Sequence, residues 1–180
     1  MLTHRAMSES VEAQLEALRR RVDRVEDELA VHRLIVRYGL AVDAGDAEAA
    51  MELFTRDTLY EIRAAGLGRG GDPKKTLVLR GRAAVGEMVR SDDHQELLPN
   101  AAHTIGPAVV HVEGEQATAT GYTRIYHREG ESFRMFRMAV NHWELVKQEG
   151  HWRVHRRYSQ VLGESDVQDL MRRGLEAPAD

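Results

Sequence analysis

An α+β fold, with a strongly curved antiparallel sheet wrapped around N-terminal helices, is what this 180-residue sequence predicts. Three observations carry the prediction. Helical periodicity fills residues 11–54. Strand-like alternation broken by short turns fills most of the second half. Between them stands one strand–helix interruption, with neither regular β-α-β alternation nor an internal repeat. Such a sheet has one hollow, between its concave face and the helix that carries Asp43.

Taken in chain order, Val11, Leu15, Leu18, Val22, Val25 and Leu29 are spaced alternately four and three residues apart, with mostly Glu, Arg, Asp and Gln between them. This three-heptad seam suits either a long amphipathic helix packed on its own domain or an intermolecular coiled coil. The helix should continue or kink into AVHRLIVRYGLAVDAG and stop near Gly45. Asp46 precedes AEAAMELF, so its carboxylate should cap a second helix at 47–54. TRDTLYEIRA reads as the first strand. Residues 66–76, GLGRGGDPKKT, lack phosphate-loop spacing and place Pro73 where a helix would start, so they read as a mouth loop. TLVLRGRAAVGEMVRS supplies a short strand and a third helix.

The closing strands are AHTIGPAVVHVEG and EQATATGYTRIYHREG, which turn at 113–115, then FRMFRMAVNHWELVKQEG and HWRVHRRYSQVLG, which turn at Gly150. ESDVQDLMRRGLEAPAD reads as a short helix and a fraying tail. The expected organisation is a heptad helix at 1–27, an α+β domain at 28–162 and a helix with flexible tail at 163–180.

Composition excludes several classes. With no cysteine there are no disulfides, thiolate metal sites or thiol nucleophiles. A net charge of -4 and a pI near 6.1 argue against a nucleic-acid partner, which needs a basic surface. The first residues lack a signal-peptide core, and no apolar run approaches the roughly 20 residues of a transmembrane helix. A soluble, cytoplasmic protein without a membrane partner is expected. No G-x-S-x-G or H-E-x-x-H motif occurs.

The nine histidines are scattered without ligand spacing, so no metal is expected. His4, His32 and His94 read as solvated or packing residues. His103 opens a strand and by alternation shares a face with Ile105 and Val109. Asp43 is the odd carboxylate: projected on a helix it falls beside Val36, Gly39 and Leu40. The two unexplained groups make a pair. A carboxylate that holds one imidazole nitrogen orients the other as a general base, and a mutually satisfied structural pair would use the same two residues.

VRYGLAVDAGDAEAAMELFTRD, HTIGPAVVHVEGEQATATGY and GHWRVHRR together resemble the SnoaL-like branch of the nuclear transport factor 2-like (NTF2-like) superfamily, over roughly residues 28–160. The resemblance implies a cone-shaped α+β barrel with an apolar pocket, here with an extra N-terminal heptad helix. It covers scytalone dehydratase, bile-acid 7α-dehydratase and hexachlorocyclohexane dehydrochlorinase, where an aspartate ending the pocket helix and a histidine opening a long strand form the catalytic dyad. Asp43 and His103 match those positions, Tyr38 resembles the tyrosine that assists leaving-group departure, and Arg157 resembles an arginine that stabilises the departing anion. Strand alternation sends Arg156 and Arg157 to opposite faces. Tyr60, Tyr122, His127 and Asn141 are the expected substrate contacts; Asn141 and His142 stand where many relatives carry tyrosine and aspartate.

The expected function is a cofactor-independent lyase or isomerase, dehydratase-like or cyclase-like, acting on an apolar, cyclic small molecule, in a homo-oligomer of two or three chains. The alternatives are a binding or assembly module of the same fold, and a small subunit of a ring-hydroxylating dioxygenase, whose pocket should be occluded.

Overall fold

A computed structural model describes residues 2–64, 75–164 and 166–176, with side chains from residue 11 onward. Most of the mouth loop expected at 66–76, and the end of the tail, lie outside the described residues. The elements are α1 (Leu2–Asp43), α2 (Ala47–Glu52), β1 (Phe54–Ile62), β2 (Leu77–Arg80), α3 (Arg82–Arg90), α4 (Asp92–Gln95), β3 (Ala101–Glu113), β4 (Gln116–Glu129), β5 (Ser132–Gln148), β6 (His151–Val161) and α5 (Val167–Leu175). None of the described helices is long and apolar enough to cross a membrane.

The strands form one curled, unclosed sheet in the order β2-β1-β6-β5-β4-β3. All neighbours are antiparallel except β1 and β6, which run parallel. The expected antiparallel sheet thus carries one parallel pairing, where β1 joins β6. β1 enters from helix α2 on the same side as β6, and β2 and β3 are left as the edges. Tyr38, Phe54, Trp143, Leu145 and Val154 centre the core between the concave face and the C-terminal half of α1.

α1 is a single unbroken helix across residue 27, about 63 Å long at 1.5 Å per residue. Its C-terminal half docks through Val31, Leu34, Ile35 and Tyr38, and Asp27 accepts hydrogen bonds from Lys147 Nζ at 2.7 Å and Trp152 Nε1 at 2.9 Å. Residues 11–26 are all exposed, so the seam packs on nothing in its own chain among the described residues. The helix stops in a turn at Gly45, with φ +68, and Asp46 caps α2 by accepting from Ala49 N at 2.9 Å.

Two face assignments are corrected. Of the neighbours projected around Asp43, only Gly39 is buried, while Val36 and Leu40 are exposed. The close neighbour of Asp43 is therefore not an apolar stripe but strand β3, which crosses α1 at Gly39. Val109 does not share the face of His103 and Ile105. The register shifts between Ile105 and Ala108, at Gly106–Pro107, and one added residue turns Ala108, Val110 and Val112 inward and Val109 outward.

α5 covers part of the sheet's outer face. Val167 and Leu170 pack on Val140, and Gly174 sits so close to Thr120 that a Cβ there would lie 2.6 Å from the Thr120 Cβ. Beneath the helix, His142 is buried with Nδ1 2.8 Å from Thr120 Oγ1. Burial pushes the pKa of His142 down; Glu144 opposes the shift and Arg173 of α5 adds to it.

Two outcomes follow from this packing. A Cβ at Gly39 would stand 2.5 Å from the His103 carbonyl oxygen, so Gly39→Ala should force β3 away and lose about 1–3 kcal/mol of unfolding free energy in urea titration. A depressed imidazole pKa means that the contribution of His142 is present above its unfolded value near 6.5 and lost as pH falls through the folded value. Melting curves from pH 7 to about 5 should show the wild type losing more stability than His142→Gln; equal slopes would place the acid lability elsewhere.

Candidate active site

The cavity expected between helix and sheet has a volume of about 400 Å³, the size range of small-molecule sites. Val42, Ile62, Leu77, Met88, Ile125 and Phe136 supply apolar wall. Polar groups converge on it from separate elements: Tyr38 from α1, Tyr60 from β1, His94 from α4, His103 from β3, Arg137 from β5 and Arg157 from β6. Exposed Lys75, Asp93 and Glu96 line its rim.

Asp43 stands behind His103 rather than in the cavity lining. One carboxylate oxygen accepts from the backbone N–H of His103 at 2.6 Å, and the other lies 2.6 Å from its ring Nδ1. β3 is an edge strand, so the backbone donor has no neighbouring strand on that side and takes the helix carboxylate instead. With Nδ1–H donated to Asp43, Nε2 is the ring nitrogen left for the cavity. The Asp43 and His103 side chains are 21% and 13% exposed, so the pair is largely shielded from water.

Arg157 is almost wholly buried, whereas Arg156 is exposed beside Glu144, which settles the alternation between them. The Arg157 guanidinium carbon lies 3.9 Å from the Trp143 ring centroid, 4.2 Å from Tyr38 and 4.4 Å from Tyr60. Its Nε donates to Asn141 Oδ1 at 2.9 Å, and Asn141 Nδ2 donates to Thr123 Oγ1 at 2.7 Å. Nη1 has no hydrogen-bond acceptor among the described residues; three ring faces replace water around the cation. Burial pushes the Tyr38 phenol well above its ordinary pKa, with Tyr60 adding to the rise and Arg157 opposing it. Tyr38 is thus an O–H donor at neutral pH, not a phenolate.

Of the residues the sequence singled out, the structure gathers Tyr38, Tyr60, His103 and Arg157 around one cavity. Asp43 and Asn141 sit behind His103 and Arg157 as their hydrogen-bond partners. Two expected contacts lie elsewhere. Tyr122 is exposed on the outer face, with Arg124 over its ring at 5.8 Å, because alternation turns Thr123 inward beside it. His127 follows the register shift next to Ile125 and falls outside the cavity lining.

Two cavity residues escaped sequence reasoning. His94, read from the polar run SDDHQE as solvated or packing, is buried, with Nε2 2.8 Å from the Val42 carbonyl at the end of α1 and its ring centroid 6.0 Å from that of His103. A one-turn helix capped by Ser91 turns it inward, and a polar tetrapeptide gives no periodicity to reveal that. Arg137 is buried while Phe133 and Met135 on the same strand are exposed. Its Nη1 and Nη2 donate to the carbonyls of Ala64 and Arg63, both at 2.7 Å, and hold a turn in which Ala64 has a left-handed φ of 51. Hydropathy alone would have inverted that strand.

The profile of the SnoaL-like domain matches residues 23–158. Among solved structures, an NTF2-like protein with a cystatin-like fold from Novosphingobium aromaticivorans is 31% identical, superposes with a TM-score of 0.77, and matches over 87% of this chain and 96% of its own. A protein of unknown function from Mycobacterium tuberculosis is 22% identical, with a TM-score of 0.64 over 86% of this chain and 90% of its own. A Novosphingobium aromaticivorans protein provisionally assigned as a scytalone dehydratase is 15% identical, with a TM-score of 0.61 over 79% of this chain and 97% of its own, and it shares the fold alone. Among curated proteins none matches. A profile that spans the helix with Asp43, the strand with His103 and the strand with Arg157, on the same curled sheet, makes this chain a member of the SnoaL-like domain family of the NTF2-like superfamily.

Proposed function

We propose that the protein is a cofactor-independent lyase or isomerase acting on a small, largely apolar cyclic molecule that carries a carbonyl or comparable activating group. One observation supports this above the others: the contact of His103 Nδ1 with Asp43 at 2.6 Å leaves the second ring nitrogen to a cavity of about 400 Å³. An imidazole held in one tautomer by a carboxylate suits proton abstraction from carbon near neutral pH.

In a dehydration, His103 Nε2 takes the proton from the carbon next to the carbonyl. The electron pair moves into an enolate whose oxygen accepts the Tyr38 hydrogen bond. Hydroxide then leaves from the β-carbon, takes the proton held on the His103 imidazolium and departs as water as the conjugated double bond forms, which returns His103 to the neutral base. Arg157 lies under Tyr38 and favours the developing negative charge electrostatically, without needing to touch the substrate. Asp43 is a positioning residue in this scheme. His94, close to His103 in the cavity wall, is a second histidine able to relay the proton.

The accessible cavity favours this reading over a dioxygenase small subunit, for which an occluded centre was the expectation. A pure binding module would use the same cavity but has no need of the oriented histidine.

Cyclic β-hydroxyketones are suitable probes, because loss of water creates a conjugated enone that is followed by ultraviolet absorbance. His103→Ala should abolish turnover and the exchange of the α-proton in D₂O while the melting temperature changes little. Asp43→Asn should lower the rate by on the order of 10²- to 10⁴-fold. Tyr38→Phe should reduce kcat and leave α-proton exchange by His103 detectable. If His103→Ala keeps full activity and only melts earlier, the pair is a core hydrogen bond and the protein belongs to the binding class.

A further inference from the structure

We propose that the projecting half of α1 is an antiparallel, two-stranded coiled coil with a second copy of this chain. Along the heptad, Leu15, Val22, Leu29 and Val36 occupy a, while Val11, Leu18, Val25 and His32 occupy d. The seven apolar members of that seam are each 46% to 62% exposed. The helix docks on its own domain through Asp27, Val31, Leu34, Ile35, Tyr38, Ala41 and Val42, which are f, c and g positions. The seam therefore lies on the opposite side of the helix from the domain, over almost four heptads. A lone helix in water gains little from such a stripe, since amphipathic helices owe most of their stability to the surface they bury.

Charge selects both occupant and register. Positions e carry Glu12, Arg19, Glu26 and Arg33, alternating in sign, and g carries Arg21 and Glu28. In an antiparallel pair e faces e and g faces g. With Val36 of one copy against Val11 of the other, the layers are Leu15 on His32, Val22 on Val25, and Leu29 on Leu18. In that register Glu12 faces Arg33, Arg19 faces Glu26, and Arg21 faces Glu28 of the second copy, every pair opposite in sign. Slipping by one heptad in either direction sets Arg against Arg and Glu against Glu, so one register is favoured over its neighbours.

A parallel pair is less well matched in charge: in register it sets Arg21 against Glu26 and Glu28 against Arg33 but leaves Arg19 opposite Gln14, whereas the antiparallel register gives every one of these arginines and glutamates a partner of opposite sign. The next seam positions, Gly39 and Asp43, are covered by β3 at His103, so the exposed seam ends at Val36. The antiparallel arrangement keeps the two globular parts at opposite ends.

The experiment is sedimentation equilibrium of the full chain, with domain folding followed by thermal melting. The wild type should be a dimer, and Leu18→Glu, at a position that is exposed among the described residues, should be a monomer with an unchanged domain transition. Arg19→Glu and Glu26→Arg should each weaken the dimer by roughly tenfold, because each places two like-charge pairs across the seam. The double variant R19E/E26R should recover wild-type affinity. In a parallel coil Glu26 would face Arg21, so the double variant would stay weak. A monomeric wild type, a dimeric Leu18→Glu, or a double variant without recovery overturns the proposal. None of these results depends on turnover, so the catalytic reading stands or falls separately.

Discussion

The bidentate grip of Asp43 on His103 is the interaction around which the molecule is organised. An edge strand must satisfy its outward backbone donors, and here one of them is satisfied by a carboxylate at the end of a long helix. Gly39, one turn earlier, lets the β3 backbone come within a distance no side chain would allow. These two residues together set where β3 crosses α1, and that crossing forms one wall of the cavity. The ring contact at 2.6 Å uses the other oxygen of the same carboxylate, so the residue that docks the strand through its backbone also orients the imidazole. An imidazole oriented by a residue that also holds the fold is fixed before any ligand arrives, which is the pre-organisation the proposed base would use.

The opposite wall solves a harder electrostatic problem. A guanidinium buried as deeply as that of Arg157 needs compensation, and no described carboxylate stands beside it. Three aromatic faces and one amide oxygen provide it instead. This arrangement leaves the positive charge uncancelled, and its field falls on Tyr38 and Tyr60. Burial keeps Tyr38 protonated against that field. A neutral donor beside an uncancelled cation is suited to hold a developing oxyanion. Arg137 contributes differently, through two carbonyls that fix the turn after β1 at the cavity's edge.

The same sheet carries two coverings with separate functions. Its concave face holds the cavity; α5 shields part of its convex face, with Gly174 pressed on Thr120 and His142 enclosed beneath. The longest run of exposed apolar side chains among the described residues is on α1, from Val11 to Leu40. Along α1 the f, c and g positions dock on the domain, the apolar a and d positions from Val11 to Val36 stay exposed, and past Val36 the same stripe turns to β3 through Gly39 and Asp43.

By itself the sequence determined what depends on local pattern. Heptad spacing, the Asp46 cap, the Gly turns and strand alternation made the helices, hairpins and fold class legible, because each is decided by residues within a few positions of one another. Residue chemistry and family resemblance marked Asp43, His103, Tyr38 and Arg157, and alternation separated Arg157 from Arg156. Only the tertiary structure decided the rest. One extra residue at Gly106–Pro107 reversed Val109, and another shift beside Ile125 came between the cavity and His127. His94 and Arg137 joined the cavity through a one-turn helix and an inverted strand segment that hydropathy does not encode. The parallel pairing of β1 with β6 and the docking of β3 on Gly39 are contacts between segments far apart in the chain. Their geometry follows from backbone hydrogen bonding and close packing across the whole sheet, which no local window of sequence contains.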